Sequence, residues 1–284
     1  MVRLGEKNAE STLLEKIGIK ALNQALYVYK QLGTDGRILI TKKKGTDVAL
    51  RMDVEAEQAV LDVLKTSGLS LLVHSEEHGT LTIGDNPQFT ATLDGLDGTS
   101  NYKKTDGSAS GTMLAILSGT DPKYSDTVFA GMMMYPTKKL YYVSPGSNIK
   151  KLHNRILHFD NNCRVFVDTA FDEALDVDVM NATFVLPLTQ AGIPFEQESA
   201  STAEHFARIM DGTLDITCEA TRGTKGNFEL PVGYALLKAV GGVLMCIDGT
   251  LLDDKKYSEF GNDEYIPLIG ASTMQLAHEF IKHL

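Results

Sequence analysis

A change of texture near Gly68 constrains this chain most: helical periodicity gives way there to short β-type runs. Over about 8–32, apolar residues recur at intervals of three and four (Leu13, Leu14, Ile17, Ile19, Leu22, Ala25, Leu26, Tyr29) and Gly33 stops the run. That spacing predicts one long amphipathic helix. A basic turn at 42–45 follows, and Asp53, as N-cap, opens a second helix through Val54, Ala56, Ala59, Val60 and Leu64 to Gly68. Two helices are thus expected before any sheet. Short β-rich runs at 71–73, 89–93, 112–117, 127–135 and 140–143, separated by Gly, Asp and Pro turns, then predict an antiparallel sheet. From about 147 onward strands (164–167, 214–217, 243–247) interleave with helices (201–210, 231–240, 272–283), which is α/β texture. The expectation is an N-terminal half, 1–146, packed on a C-terminal half, 147–284, with no repeat or linker to separate them.

Composition narrows the function classes. A chain of 284 residues has room for one large domain or two closely packed halves. Its 27 basic and 37 acidic side chains leave a net charge of −10, which repels polyphosphate backbones and argues against a nucleic-acid polymer as partner. No window approaches the ~18 uninterrupted apolar residues of a membrane span. Cys163, Cys218 and Cys246 are odd in number and far apart, so neither a disulfide framework nor a thiolate zinc site is indicated. With no secretory pattern in Met1 to Glu10, the cytoplasm is the expected location.

Carboxylates gather at element ends. Asp94-Gly95-Leu96-Asp97-Gly98-Thr99-Ser100-Asn101 directly follows the apolar run 89–93, so two acids three residues apart leave a strand on a glycine-rich turn. Gly98, Thr99 and Ser100 then offer backbone N–H groups at the start of a short helix, a setting that favours an anion such as phosphate. A polar surface turn is the plainer alternative. Glu76-Glu77 ends another apolar run, where solvent usually relieves such a pair. Flanking His74 and His78 lack the thiolate or spaced histidine pair of a zinc site. Asp47 and Glu229, the latter two residues before Pro231, also serve as simple helix caps. Taken together, Asp47, Glu76, Asp94, Asp97 and Glu229 are hard oxygen donors, which suit Mg²⁺. A helix–loop–helix calcium site is set aside because the segment after Asp94 lacks acids at alternating positions and a closing Glu.

In this pattern the chain resembles the inositol monophosphatase superfamily of Mg²⁺-dependent, lithium-sensitive phosphatases, which includes fructose-1,6-bisphosphatases and 3'-phosphoadenosine 5'-phosphate phosphatases. Asp94-Gly95-Leu96-Asp97-Gly98-Thr99-Ser100-Asn101-Tyr102 is close to the family's Asp-Pro-Ile-Asp-Gly-Thr-Thr-Asn-Phe signature, with Glu76-Glu77 upstream where the family has its Glu-Glu pair. The segment ending at Asp215 resembles the family's Gly-x-x-Asp, and Phe228-Glu229 through Gly241-Gly242 has the spacing of its Trp-Asp-x-Ala-Ala…Gly-Gly motif. Departures are Glu229 for the family's Asp, Leu50 for a threonine, Gly95 for a proline, which implies a more flexible turn, and Phe228 for the tryptophan. The stretch between Glu219 and Glu229 is also longer than usual and carries Arg222 and Lys225.

The resemblance implies an α/β, layered α/β/α/β/α sandwich of the sugar-phosphatase type and a homodimer. It implies that Glu76, Asp94, Asp97 and the Leu96 carbonyl bind metal, with Glu229 completing a second metal site. Asp47 and Thr99 match the pair that orients the attacking water. Gly98, Thr99 and Ser100 match the phosphate cradle, and Glu219 a residue that contacts substrate hydroxyls. The expected activity is Mg²⁺-dependent hydrolysis of a small polyol or sugar phosphate such as inositol 1-phosphate. Arg222 and Lys225 on the longer loop leave open a bisphosphate substrate, whose second phosphate they would meet. A catalytically weak sugar-phosphate-binding module is the alternative of another class.

Overall fold

The structure is a computed structural model that describes residues 9–42, 48–104, 109–146, 158–160, 162–168, 178–198, 201–220, 227–260 and 266–284. Helix α1 (Ala9–Leu32) buries Leu14, Ile17, Ala21, Leu22, Ala25 and Leu26, the stripe its periodicity predicts. A two-stranded antiparallel hairpin, β1 (Leu39–Lys42) with β2 (Val48–Leu50), comes between the helices, so a small sheet does precede the second one. Helix α2 (Arg51–Lys65) has Leu50, not Asp53, as its N-cap. Asp53 stands two residues inside the helix and reaches back, its Oδ2 accepting from the Leu50 N–H at 2.7 Å, which satisfies one of the orphan donors of the first turn.

The main sheet comprises β3 (Leu71–Ser75), β4 (Gly79–Ile83), β5 (Phe89–Asp97), β6 (Gly111–Ser118), β7 (Thr127–Met134) and β8 (Lys139–Val143), in the order β4-β3-β5-β6-β7-β8. It is antiparallel as expected except for the pair β3–β5. A short helix α3 (Thr99–Lys104) follows β5. The second sheet is built from β9 (Val165–Asp168), β10 (Glu196–Glu198), β11 (Ile216–Ala220), β12 (Val243–Cys246) and β13 (Pro267–Ala271), ordered β10-β9-β11-β13-β12. Around it lie α4 (Leu186–Gln190), entered through a π-helical turn, α5 (Thr202–Met210), α6 (Leu230–Val240) and α7 (Met274–Ile281).

Alternation along the strands explains the layering. On β6 and β7, Leu114, Ile116, Phe129 and Met133 face α1 and α2, whereas Met113, Ala115, Leu117, Ala130, Met132 and Met134 meet Phe206, Leu236 and Leu237 of α5 and α6. Leu244, Cys246 and Leu268 of the second sheet join that same middle core. Its far face packs Val167, Met245 and Ile269 against Phe184, Leu188, Leu276 and Phe280. Sheets covered on both faces need apolar residues at successive positions, which is why these strands read as continuous runs. The result is a five-layer α/β/α/β/α sandwich. Among the described residues no helix is long and apolar enough to cross a membrane.

Candidate metal and phosphate site

Every residue of β5 is buried, so Asp94 and Asp97 are removed from water along with the apolar residues before them. The strand does not turn at Asp94 as the glycine pattern suggests. It bulges: its register with β6 shifts between Asp94 and Asp97. The bulge is pinned by the Gly95 carbonyl, which accepts from Thr112 Oγ1 at 2.8 Å and from the Tyr135 hydroxyl at 3.1 Å. The Leu96 N–H donates to Asp94 Oδ1 at 2.8 Å. Gly95 lies directly beneath α2, where a Cβ would fall 2.5 Å from the Asp53 carbonyl oxygen and from Glu57 Cγ. Close helix–strand approach, not a flexible turn, is therefore what glycine provides here.

Carboxylate oxygens of Asp94, Asp97 and Glu229 all lie within 4.8 Å of one another, and each residue is buried. Glu229 arrives from the N-cap of α6, whose first turn Pro231 preorganises. Its longer side chain thus reaches the cluster despite standing for an aspartate. Burial drives the Asp94 carboxyl well above its ordinary pKa, and the charges of Glu76, Asp97, Glu229 and Glu57 push it further. Repulsion of this kind is what a divalent cation relieves. The donor set is all oxygen, and its spread matches ligands placed around one ion at about 2.0–2.6 Å, so the residues fit Mg²⁺ or Ca²⁺.

Glu76 sits in the turn after β3, outside that tight triad but close enough for its charge to act on both Asp94 and Asp53. The turn is organised by Glu57, a fully buried acid of α2. Its carboxylate accepts from the N–H groups of Glu76 (3.1 Å) and Glu77 (3.0 Å), from Ser75 Oγ, and from His78 Nδ1 at 2.8 Å. The Glu57 bond raises the His78 pKa, while His74 bonds Thr80 Oγ1 at 3.1 Å.

Thr99 engages Asp53. Its hydroxyl lies 2.8 Å from Asp53 Oδ1 and 3.0 Å from the Leu96 carbonyl oxygen. Burial lifts the Asp53 pKa to about 8, against the lowering effect of its bonds to Thr99 and Leu50, with Glu76 and Glu77 adding to the rise. Asp47, expected as the partner of Thr99, lies outside the described residues, as do Arg222 and Lys225. Gly98 turns the chain into α3 with φ +87°, and Ser201, the N-cap of α5, packs against it. The first turn of α5 meets the cluster directly, the Ala203 N–H donating to Asp97 Oδ2 at 2.5 Å. Ser100, the second residue of α3, is exposed. Glu219 is buried on β11, with its Oε1 held by Thr217 Oγ1 (3.2 Å) and His205 Nδ1 (3.1 Å). Asp215 instead forms a bidentate pair with Arg164, both bonds 2.8 Å.

Two contributors, Asp53 and Glu57, were not singled out as functional from the sequence. Their signal is nonetheless present: acids four residues apart on the apolar face that Met52, Ala56 and Val60 define. A buried acid on such a face needs a polar task to offset its desolvation.

No protein-family model and no curated protein sequence matches this chain. Solved structures do. The extragenic suppressor protein SuhB of Bartonella henselae superposes with a TM-score of 0.70 at 16% identity, covering 95% of this chain and 97% of that one. A staphylococcal inositol monophosphatase in a lithium-soaked inhibitory complex gives a TM-score of 0.69 at 17% identity, over 99% and 96% of the two chains. An inositol monophosphatase/NADP phosphatase complexed with Mg²⁺ and phosphate gives 0.67 at 16%, over 97% and 96%. The chain has the fold of these three structures along nearly its whole length.

Proposed function

We propose that this protein is a Mg²⁺-dependent phosphomonoesterase that hydrolyses a small polyol or sugar phosphate. The observation that carries this reading is the convergence of Asp94, Asp97 and Glu229, buried acids from two distant parts of the chain, within one ion's coordination distance. Glu76 and the Leu96 carbonyl, beside that cluster, are assigned to the same metal centre. A bound divalent ion would supply charge neutralisation at the phosphoryl oxygens and leaving group and would lower the pKa of an attacking water.

The chain's own residues account for the rest. Gly98, Thr99 and Ser100 are assigned to the phosphate, at the entry to α3 where the N-cap of α5 closes on Gly98. The Thr99 hydroxyl, held by Asp53 Oδ1 at 2.8 Å, is assigned to orienting the attacking water. Asp53 thus takes the place that the sequence resemblance gives to Asp47. Glu219 is assigned to a hydroxyl of the substrate's alcohol part. The likeness in fold to an inositol monophosphatase/NADP phosphatase complexed with Mg²⁺ and phosphate supports the reaction class.

Phosphate release from a panel of inositol, sugar and nucleotide phosphates, with Mg²⁺ and after chelation, tests the reading. Turnover that requires Mg²⁺ and favours polyol monophosphates is expected. No release from any ester at saturating Mg²⁺ contradicts it and favours a binding module.

A further inference from the structure

One buried polar group has no part in the chemistry above. His205 of α5 is fully buried, on the face of the helix that Phe206 and Ile209 also occupy. Its ring tilts against Phe166, centroids 4.2 Å apart, and its Nδ1 lies 3.1 Å from Glu219 Oε1. Nε2 is buried with no hydrogen-bond partner. Burial lowers the imidazole pKa, and a carboxylate can only accept, so the neutral ring carries its proton on Nδ1 and leaves Nε2 bare. An aliphatic residue would fill this site without an unsatisfied acceptor. Buried polar exceptions of this kind concentrate at functional positions.

The placement says which function. Thr217 Oγ1 addresses the same oxygen of Glu219 at 3.2 Å, so two donors from different elements fix the orientation of one carboxylate. The helix that carries His205 also binds Asp97 through the Ala203 N–H, half a turn earlier. A single rigid element therefore orients a carboxylate of the acid triad and the carboxylate assigned to the alcohol. We infer that His205 is a positioning residue: with Thr217 it sets Glu219 for a substrate hydroxyl, and so tunes the preference for polyol over hydroxyl-free esters. This inference rests on the phosphatase reading.

The test compares kcat/KM for inositol 1-phosphate with that for p-nitrophenyl phosphate, which has no alcohol hydroxyl. His205→Leu is expected to lower the ratio of the two about tenfold, mainly through KM for the polyol ester, as loss of a hydrogen bond to a charged group implies. His205→Asn, whose amide nitrogen substitutes for Nδ1, is expected to recover most of the ratio. Thr217→Val, nearly isosteric, shifts it in the same direction and carries the test if His205→Leu does not fold. A ratio unchanged in Thr217→Val or in a folded His205→Leu, with both rates falling together, overturns the inference and leaves the phosphatase reading standing. Absence of Mg²⁺-dependent release from both esters by the wild-type protein overturns both.

Discussion

Asp94 is 2% exposed, and four other acids press their charge on it. A carboxylate in that position is costly unless a cation shares it, so its amide counterpart separates function from folding. Asp94→Asn is expected to abolish Mg²⁺-dependent phosphate release while the metal-free protein melts at or above the wild-type temperature. Near-normal turnover by that variant would remove Asp94 from the metal centre. Glu57 acts one step further out, orienting the turn that carries Glu76. Glu57→Gln keeps its size but replaces one acceptor oxygen by a donor facing Ser75, Glu76, Glu77 and His78. The Mg²⁺ concentration for half-saturation, read by calorimetric titration, should rise about tenfold or more, the usual effect of losing a residue that orients a ligand. Asp94, Asp97 and Glu229 were legible as candidates because acids beside glycine at a strand end, or before a helix-opening proline, stand out. Asp53 was visible only as a cap, since an acid in a first helical turn already has a sufficient reason in the helix dipole. Its second oxygen, turned to Thr99, depends on a contact across 46 positions that no local pattern encodes.

At the level of elements, the approach of α2 to β5 brings Asp53 and Glu57 to the acids of the bulge, and Gly95 sets how close they come. Gly95→Ala places a Cβ 2.5 Å from backbone and side-chain atoms of α2, so one element must move. Thermal melting should show a loss of about 1–3 kcal/mol, the ordinary cost of overpacking, together with weaker metal binding. An unchanged melting temperature and metal affinity would mean that the contact has no such role. The long helices and central strands were legible because each has a clear period and an apolar face. The elements that escaped are those whose surroundings supply the reason for a strand. β4 is an edge strand whose first residues, Gly79 and Thr80, are exposed, and β10, Glu196-Gln197-Glu198, is an edge with no apolar residue. β13 opens on Pro267 and contains Gly270, where a Cβ would meet Thr217 Cγ2 at 2.7 Å. Glycine and proline argue against a strand locally, whereas here pairing with β11 and β12 on both sides outweighs them.

On the scale of the whole molecule, five layers place β5, α5 and the start of α6 around one acid cluster, and the cost of burying it falls on global stability. Asp53 keeps its proton to about pH 8 in the fold, whereas an unfolded aspartate releases it near pH 3.9. Between those values the unfolded chain binds fewer protons than the native one, so stability falls as pH rises. Chelated protein should therefore lose about 5 °C or more in Tm between pH 5 and pH 8, and Asp53→Asn should flatten the slope. A Tm that rises over this range would contradict the assigned burial. The central claim is that Asp94, Asp97 and Glu229 hold one divalent ion, and anomalous diffraction from Mn²⁺-soaked crystals tests it most directly. A peak at about 2.0–2.6 Å from a carboxylate oxygen of each of the three is predicted; saturating Mn²⁺ with no peak there, or with peaks only elsewhere, would contradict the account.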